Sequence, residues 1–289
     1  MPAAPVIRIP YPREKLLQIA RSLPADLQVL AALGEMLQDV NSELDGVAAL
    51  LRRDLALAAR IVRISNSASY SAGNRIGSVE EAVNRVGFSE ILKLIGTATA
   101  ARFAERSLEY YDVSAVTLRD NMLYCALAAE ALARLSGGDA RTAYTAGLMR
   151  PLGMMVLDRA GRSFIKAQQR FTAAEWITYS AWEDSYFGMN NDAVAALIIE
   201  EWRFPLEMGE AIRGHHLRQA DDFELPLSCV LNLANALAQR KQRELPGEAL
   251  WWEISPKKLA GANISAEQLE QVAEATEVAF AASVAALEA

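Results

Sequence analysis

The chain contains a single pair of histidines, His215 and His216, and imidazole is the side chain most used for metal binding and for proton transfer near neutral pH. A two-histidine metal site on a helix needs a spacing of four residues, as in His-Glu-x-x-His, because such side chains share one face. Adjacent side chains on a helix point about 100° apart, so this pair is predicted not to face one target. The favoured interpretation is a helix C-terminus, where polar or cationic groups bind free carbonyls. Contact of one ring with a partner or ligand is the alternative.

A second position of chemical interest is Arg150–Pro151, which interrupts an apolar helical stretch from Ala146 to Asp158. Arginine has no lone pair to offer a metal and proline has no polar side chain, so the break supplies no metal ligand. Arg150 is expected to form a salt bridge with a nearby acid. The alternative is that its guanidinium binds a phosphate group.

Arg60 and Arg63, with Arg52 and Arg53 nearby, form a basic strip just before Asn66. Arginines on an amphipathic helix are usually solvated, and that is the favoured interpretation. The alternative is a contact surface for an acidic partner or a phosphate that includes Arg60, Arg63 and Asn66.

The remaining reactive side chains give weak signals. The carboxylates Asp221, Asp222 and Glu224 could hold a hard cation, but they precede a proline and read as a solvated turn. Cys125 and Cys229 lie in apolar helical patterns, whereas a cysteine nucleophile needs a nearby base. They are interpreted as buried, reduced thiols of a cytoplasmic protein.

Almost everything after residue 12 has the periodicity of helices, and no convincing β-alternation occurs. Helix starts are predicted at three capping boxes, Ser78–Glu81, Thr172–Glu175 and Ser265–Gln268. Short turns join the helices, so the predicted fold is an all-α, multi-helix bundle. Gly87 lies between two predicted helices, the layout of a DNA-reading motif, but the second helix is mostly apolar. An ordinary helical hairpin is therefore expected.

The predicted organisation has four parts. Residues 1–12, with four prolines, form an extended arm; residues 13–110 form an N-terminal helical subdomain; residues 111–240 form a second helical subdomain; and residues 241–289 form a helical extension packed on the second. The formal charge also differs between the N-terminal part of the chain and the rest. Residues 1–106 carry 13 Lys and Arg against 11 Asp and Glu, whereas residues 107–289 carry 16 against 25.

Composition limits the function classes. With 289 residues, of which 52% are hydrophobic, the chain can bury a large core, and its net charge of -7 disfavours nucleic-acid binding. No apolar run is long enough to cross a bilayer, and no signal peptide is recognisable, so a cytoplasmic protein with no membrane contact is expected.

Several segments resemble the HD-related output domain, HDOD, over roughly residues 17–240. The most specific are residues 53–71, which contain Asn66-Ser67-Ala68, and residues 76–88, Ile-Gly-Ser-Val-Glu-Glu-Ala-Val-Asn-Arg-Val-Gly-Phe. Leu55 stands where the family usually has proline. Further landmarks that fit the family are Leu23-Pro24, Phe187-Gly188, Glu201-Trp202, Pro205 and residues 211–216.

The resemblance implies an HD-like subdomain related to metal-dependent phosphohydrolases, and it assigns positions to the metal ligands of those enzymes. Carried over by position, they fall on Asn121, Arg150, Pro151, Asn191 and Asn235. Together these five residues do not make a competent set of metal ligands. Without a metal to lower the pKa of a bound water, hydrolysis is not expected, and neither is any cofactor.

The resemblance therefore implies a bacterial signalling or response-regulator output module that acts through an unknown protein partner, with self-association possible. Family members are often joined to receiver or cyclic-dinucleotide-related domains. Two alternatives stay open. The cleft that corresponds to the active site of those enzymes could bind a nucleotide or small ligand through Arg150 and act as a sensor. Alternatively, a phosphohydrolase site could have relocated to His215 and His216.

Overall fold

The fold is all-α, as predicted. The computed structural model describes residues 10–23, 29, 32, 44–52, 55–66, 75–103 and 107–288. Helices account for 73% of the residues, and within the described part the only β-type pairing is an isolated bridge between Leu108 and Val113. The bridge lies in the stretch proposed as a subdomain boundary, and the boundaries themselves stay predictions.

Fourteen helices are defined in the described residues. The first five are α1 (Arg13–Arg21), α2 (Leu44–Leu51), α3 (Leu55–Ser65), α4 (Val79–Val86) and α5 (Phe88–Phe103). The next six are α6 (Ala115–Ser136), α7 (Ala140–Met149), α8 (Leu152–Gly161), α9 (Tyr179–Phe187), α10 (Asn191–Glu201) and α11 (Leu206–Gly214). The last three are α12 (Pro226–Arg240), α13 (Pro256–Gly261) and α14 (Ala266–Glu288). Three short 3-10 turns cover Ala167–Gln169, Asp221–Glu224 and Pro246–Trp251.

Two of the three predicted capping boxes begin helices. The Ser78 hydroxyl accepts from the Glu81 amide at 3.1 Å, and the Ser265 hydroxyl accepts from the Gln268 amide at the same distance. The third prediction is wrong, because Thr172–Glu175 forms a turn and α9 begins only at Tyr179.

The later start of α9 follows from burial of its aromatic side chains. Thr178 caps the helix by accepting from the Ala181 amide at 3.2 Å. Tyr179 and Trp182 then point inward, where each packs edge-on against Tyr111 with ring centroids 5.1 and 5.0 Å apart. These inward contacts decide which of the two threonines caps the helix.

The break predicted at Arg150–Pro151 is present, and α7 ends and α8 begins on either side of it. Glycines three residues away on each side bring both helices close to their neighbours. A Cβ atom on Gly147 would lie 2.7 Å from the Cys125 carbonyl oxygen of α6, and one on Gly153 would lie 1.9 Å from the Asn191 carbonyl oxygen of α10. Arg150 is thereby held where α6, α7, α8 and α10 meet.

The remaining elements surround this centre. Helix α6 packs along α7 and α12, α10 packs between α8 and α11, and α14 lies on α6. The N-terminal helix α1 contacts α8 and α10. The hairpin of α4 and α5 turns at Gly87, whose φ is +80°, and α5 is buried along Ile91, Leu94, Ile95 and Ala98.

The predicted N-terminal arm is described only from residue 10, and residues 1–9 lie outside the described part. The Tyr11 amide donates to the Phe187 carbonyl at 2.7 Å, and its ring stacks on Phe164 with centroids 5.5 Å apart. Among the described helices, none has the length and apolar character needed to span a bilayer.

Candidate functional site

The two histidines lie side by side in the interior. Their ring centroids are 4.1 Å apart, and both rings stack on Trp252, at 5.7 and 5.2 Å. The prediction that they do not face one target is wrong, because both rings face the carboxylate of Asp192. His215 keeps helical backbone angles, φ -66° and ψ -16°, so the rings converge through the orientation of their side chains. The predicted C-terminal position is correct, since His215 Nδ1 donates to the Ile212 carbonyl at 2.6 Å.

Asp192, in the first turn of α10, faces both rings. Its Oδ2 lies 2.9 Å from His216 Nδ1, and its Oδ1 lies 3.9 Å from His215 Nδ1. Arg218 donates to the same carboxylate at 3.1 Å and to the Ser180 hydroxyl at 2.6 Å. Asp192 could not be singled out from the sequence, because an acid in the first turn of a helix is ordinarily a favourable partner of the helix dipole.

Arg150 forms the predicted salt bridge. Its Nη1 donates to Glu248 Oε2 at 2.6 Å, and its Nη2 donates to Asn121 Oδ1, also at 2.6 Å. Arg150 has no exposed surface, and Glu248 is 1% exposed. The other oxygen of Glu248 lies 3.7 Å from His216 Nε2. These contacts join six residues into one buried polar cluster, namely Asn121, Arg150, Asp192, His215, His216 and Glu248.

Neighbouring charges set the protonation of the cluster. Burial alone raises the pKa of Asp192 and Glu248, but the charges around them outweigh burial. His216 holds the pKa of Asp192 well below its usual range, and Arg150 lowers the pKa of Glu248 to about 2. Burial lowers the pKa of His215 to about 3, whereas Asp192 and Glu248 together raise the pKa of His216. The cluster therefore holds two carboxylates, one neutral imidazole and one imidazole that favours its proton.

Three members of the cluster have the donor types of a metal site. Asp192, His215 and His216 each offer a ligand atom within 4.8 Å of the others. The Nδ1 atoms of both rings are engaged in hydrogen bonds, and both Nε2 atoms lack a partner within the described residues. Two imidazoles and a carboxylate suit zinc-like ions. The guanidinium groups of Arg150 and Arg218 already neutralise the nearby carboxylates, however, so a dication would have to compete with them.

The positions that the resemblance assigns to hydrolytic ligands carry no carboxylate or imidazole, and their side chains bind different partners. Asn121 and Arg150 contact each other, but the Asn191 side chain donates to Glu183 at 3.0 and 3.1 Å. Asn235 donates to the Leu231 carbonyl at 2.8 Å. Pro151 contributes only its backbone at the start of α8. These residues therefore do not fit the metal centre of a hydrolase.

Glu183, the partner of Asn191, is a second buried carboxylate that sequence reasoning missed. It is fully buried and accepts from the Tyr111 hydroxyl at 2.6 Å and from the Asn191 amide at 2.8 Å. Burial raises its pKa to about 8. Glu183 thus fastens the segment that precedes α6 to the start of α10.

The basic strip near the end of α3 is separate from the buried cluster. Arg60 donates to the Ala98 carbonyl at 2.9 Å, and Arg63 is exposed. Asn66 donates to the carbonyls of Val62 and Ile76, each at 2.9 Å, and accepts from the Ile76 amide. The Asn66 side chain therefore ties residue 76 to the end of α3. Ser67 and Ala68 of the same motif lie outside the described residues.

The cysteines and the acidic run have structural surroundings. Cys125 and Cys229 are both buried, and burial raises their pKa values to about 12 and about 11. Cys125 donates to Asn235 Oδ1 at 3.3 Å. The acidic run forms a 3-10 turn in which Asp222 accepts from the Gln219 amide at 2.9 Å. The surroundings of the two cysteines and of the acidic run are therefore structural, and their contacts within the described residues do not pair a thiol with a catalytic base.

Solved structures of low sequence identity share this fold. A protein of Marinobacter aquaeolei VT8 whose name proposes signal transduction superposes with a TM-score of 0.69 at 22% identity, over 92% of this chain and 58% of that one. An HDOD domain protein of unknown function from Geobacter sulfurreducens gives 0.67 at 20% identity, over 94% and 97%. A protein of Shewanella amazonensis SB2B whose name proposes a phosphohydrolase gives the same score and identity, over 95% and 97%.

The sequence comparisons agree with the fold. An uncharacterised protein of Treponema pallidum (strain Nichols) is 25% identical over 278 residues, and the match covers 95% of this chain and 50% of that protein. The chain thus spans half the length of that relative. A sequence model of the HDOD domain matches residues 23–217. This match covers most of the chain, including α10 and both histidines, and the protein therefore belongs to the HDOD domain family.

Proposed function

We propose that this protein is a non-catalytic regulatory module of the bacterial cytoplasm that acts in signal transduction by binding another protein. The observation that supports this most directly is the buried guanidinium of Arg150. It lies between Glu248 and Asn121, at a position that the resemblance assigns to a metal ligand.

The physical argument is electrostatic. A divalent cation placed about 5 Å from a guanidinium is repelled by about 7 kcal/mol at an effective dielectric constant of about 20. Without a bound metal, the chain has no means of generating hydroxide from water at neutral pH in the way that metal-dependent hydrolases do. Arg150 and Glu248 instead neutralise each other in the interior.

Metal content and turnover test the proposal. The purified full-length chain is dialysed against a mixture of Mn²⁺, Fe²⁺ and Zn²⁺, and bound metal is measured by mass spectrometry. Turnover is measured on bis(p-nitrophenyl) phosphate and on cyclic dinucleotides. We expect bound metal well below one equivalent and no turnover. Stoichiometric metal together with turnover would overturn the proposal.

A second candidate, a phosphohydrolase with a relocated site, is favoured by the grouping of Asp192, His215 and His216. Asp192→Asn keeps the side-chain size but removes the carboxylate, whereas Glu175→Gln makes the matched change on the exposed turn before α9. Turnover that Asp192→Asn abolishes and Glu175→Gln retains would establish the second candidate. Absence of turnover in all three chains would exclude it for the substrates used.

The binding role needs a direct test of its own. We expect the tagged chain to copurify with a signalling protein from its bacterium, and the complex to re-form from the two purified components. Sedimentation measurements on the chain alone give its own oligomeric state. If only the chain itself is recovered, as a stable oligomer, self-association replaces binding to a different protein.

A further inference from the structure

Glu248, the counter-ion of Arg150, comes from an unusual place in the fold. The other five members of the buried polar cluster belong to α6, α10 or the ends of α7 and α11, whereas Glu248 lies in the 3-10 turn Pro246–Trp251. One side of this turn faces the interior and the other faces solvent. Its inner residues Gly247 and Glu248 are buried, while Pro246 and Leu250 are exposed, Leu250 to 64%.

Besides the carboxylate, contacts with neighbouring side chains hold the turn. Lys258 donates to the Trp251 carbonyl at 2.7 Å, and the Arg218 guanidinium lies 4.9 Å from the centroid of the Trp251 ring. Two of its carbonyls accept from side chains of α12, Ala249 from Gln239 and Trp251 from Asn232, each at 3.2 Å. Gly247 lies against the ring of Tyr179, where a Cβ atom would approach to 2.3 Å. Glu248 supplies the ion pairs of the turn with the buried cluster, to Arg150 at 2.6 Å and to His216 at 3.7 Å.

Around the Glu248 carboxylate, several polar atoms make no hydrogen bond with the described residues. Arg150 Nη1 donates to one oxygen of Glu248, but Arg150 Nε has no hydrogen-bond partner among the residues that the structure describes. His216 Nε2 and the second oxygen of Glu248 face each other at 3.7 Å, too far for a hydrogen bond, and neither has another hydrogen-bond partner among the described residues. A guanidinium edge beside an imidazole is a typical cradle for an oxyanion with three or more oxygens.

We infer that the turn Pro246–Trp251 is a cover over an oxyanion site, in which Glu248 occupies the place that a phosphate group takes when the cover opens. A phosphate bound there would use Arg150 and His216 and would replace the charge that Glu248 supplies. Opening without such a ligand would leave Arg150 buried and unpaired, so ligand binding and movement of the cover are coupled. The inference does not depend on the regulatory role proposed above.

Removal of the internal anion provides the test. Titration calorimetry with inorganic phosphate is run on the full-length chain, on Glu248→Ala and on the double variant Arg150→Met/Glu248→Ala. The double variant is the matched control, because it removes both members of the ion pair together. We expect Glu248→Ala to bind phosphate at least 10-fold more tightly than the wild type, because the internal competitor is gone, and the double variant not to bind. Equal affinities of wild type and Glu248→Ala, or equal affinities of the single and double variants, would overturn the inference.

Three further measurements cover the remaining cases. If Glu248→Ala is unfolded in the absence of anions, we expect 10 mM phosphate to restore its circular dichroism, but to have no such effect on an equally unstable core variant, Phe280→Ala. In the wild type, saturating phosphate should increase hydrogen exchange at residues 247–252, and unchanged exchange with phosphate bound would contradict the cover.

Titration with AMP separates the two sources of a phosphate group, because tighter binding of AMP indicates a nucleotide and equal or weaker binding indicates free phosphate.

Discussion

At the residue scale, each charged side chain of the buried polar cluster has an opposite partner. Arg150 pairs with Glu248, and Asp192 lies between His216 and Arg218. Such pairs add little net stability, because desolvation offsets their attraction, but removing one partner is costly, by about 3–5 kcal/mol. Their effect is therefore to fix which elements meet, here the 3-10 turn and the ends of α7, α10 and α11.

Glu183 gives a prediction about pH. Burial raises its pKa from 4.5 to about 8 in the folded protein. Between about pH 4.5 and pH 8 the folded state therefore holds a proton that the unfolded state has lost. The contribution of Glu183 to stability is fully present below pH 4.5 and falls by up to about 1.4 kcal/mol per pH unit until the pH passes 8.

We expect Glu183→Gln to remove this contribution. Its free energy of unfolding, measured by urea denaturation from pH 5 to pH 8, should fall less steeply with pH than that of the wild type. The exposed Glu175→Gln serves as the control and should keep the wild-type slope. Identical slopes for Glu183→Gln and the wild type would show that Glu183 is ionised throughout this range.

At the scale of elements, the break between α7 and α8 matters because two glycines let these helices approach their neighbours. The close approach at Gly153 places the backbone of α8 against the first turn of α10, the turn that carries Asp192. Since Arg150 is three residues away, the same contact positions the guanidinium. The apolar helices thus determine the geometry of the polar cluster.

Gly153→Ala tests this contact, because its Cβ would lie 1.9 Å from a backbone oxygen, which cannot rotate away. We expect a loss of about 3 kcal/mol or more in the free energy of unfolding, measured by urea denaturation. Gly209→Ala in α11 is the matched control. Its Cβ meets nothing closer than 3.5 Å, so a gain of about 0.5–1 kcal/mol is expected from helix propensity. Similar effects of the two substitutions would mean that α8 can move away from α10.

At the scale of the whole molecule, the described residues form one continuous core. Its buried hydrophobic residues extend from Leu16 in α1 to Ala286 in α14, and α1 packs on helices of the second predicted subdomain. The C-terminal extension contributes Glu248 to the cluster and α14 to the surface of α6. A core of this kind favours unfolding as one unit.

We therefore expect a single unfolding transition. All five tryptophans lie between residues 176 and 252, so their fluorescence reports on the second subdomain and the extension, whereas circular dichroism reports on every helix. The two urea denaturation curves should coincide. Separate midpoints would instead show that residues 13–110 unfold independently of the rest.

Much of the fold follows from the sequence, because helix periodicity, caps and breaks are local properties. The all-α class, the break at Arg150–Pro151 and the caps at Ser78 and Ser265 were all predictable. The start of α9 was not, because Thr172 and Thr178 are both competent caps. Only packing of Tyr179 and Trp182 against Tyr111 distinguishes them.

The site divides in the same way. By itself, the sequence determined that the chain has a single histidine pair and an arginine at the break in an apolar helix, because residue types and local spacing are written in it. Only the tertiary structure decided that Asp192 and Glu248 meet those residues, 23 to 98 positions away along the chain. Sequence periodicity reports which face of an element is buried, but the pairing of buried charges depends on how distant elements pack.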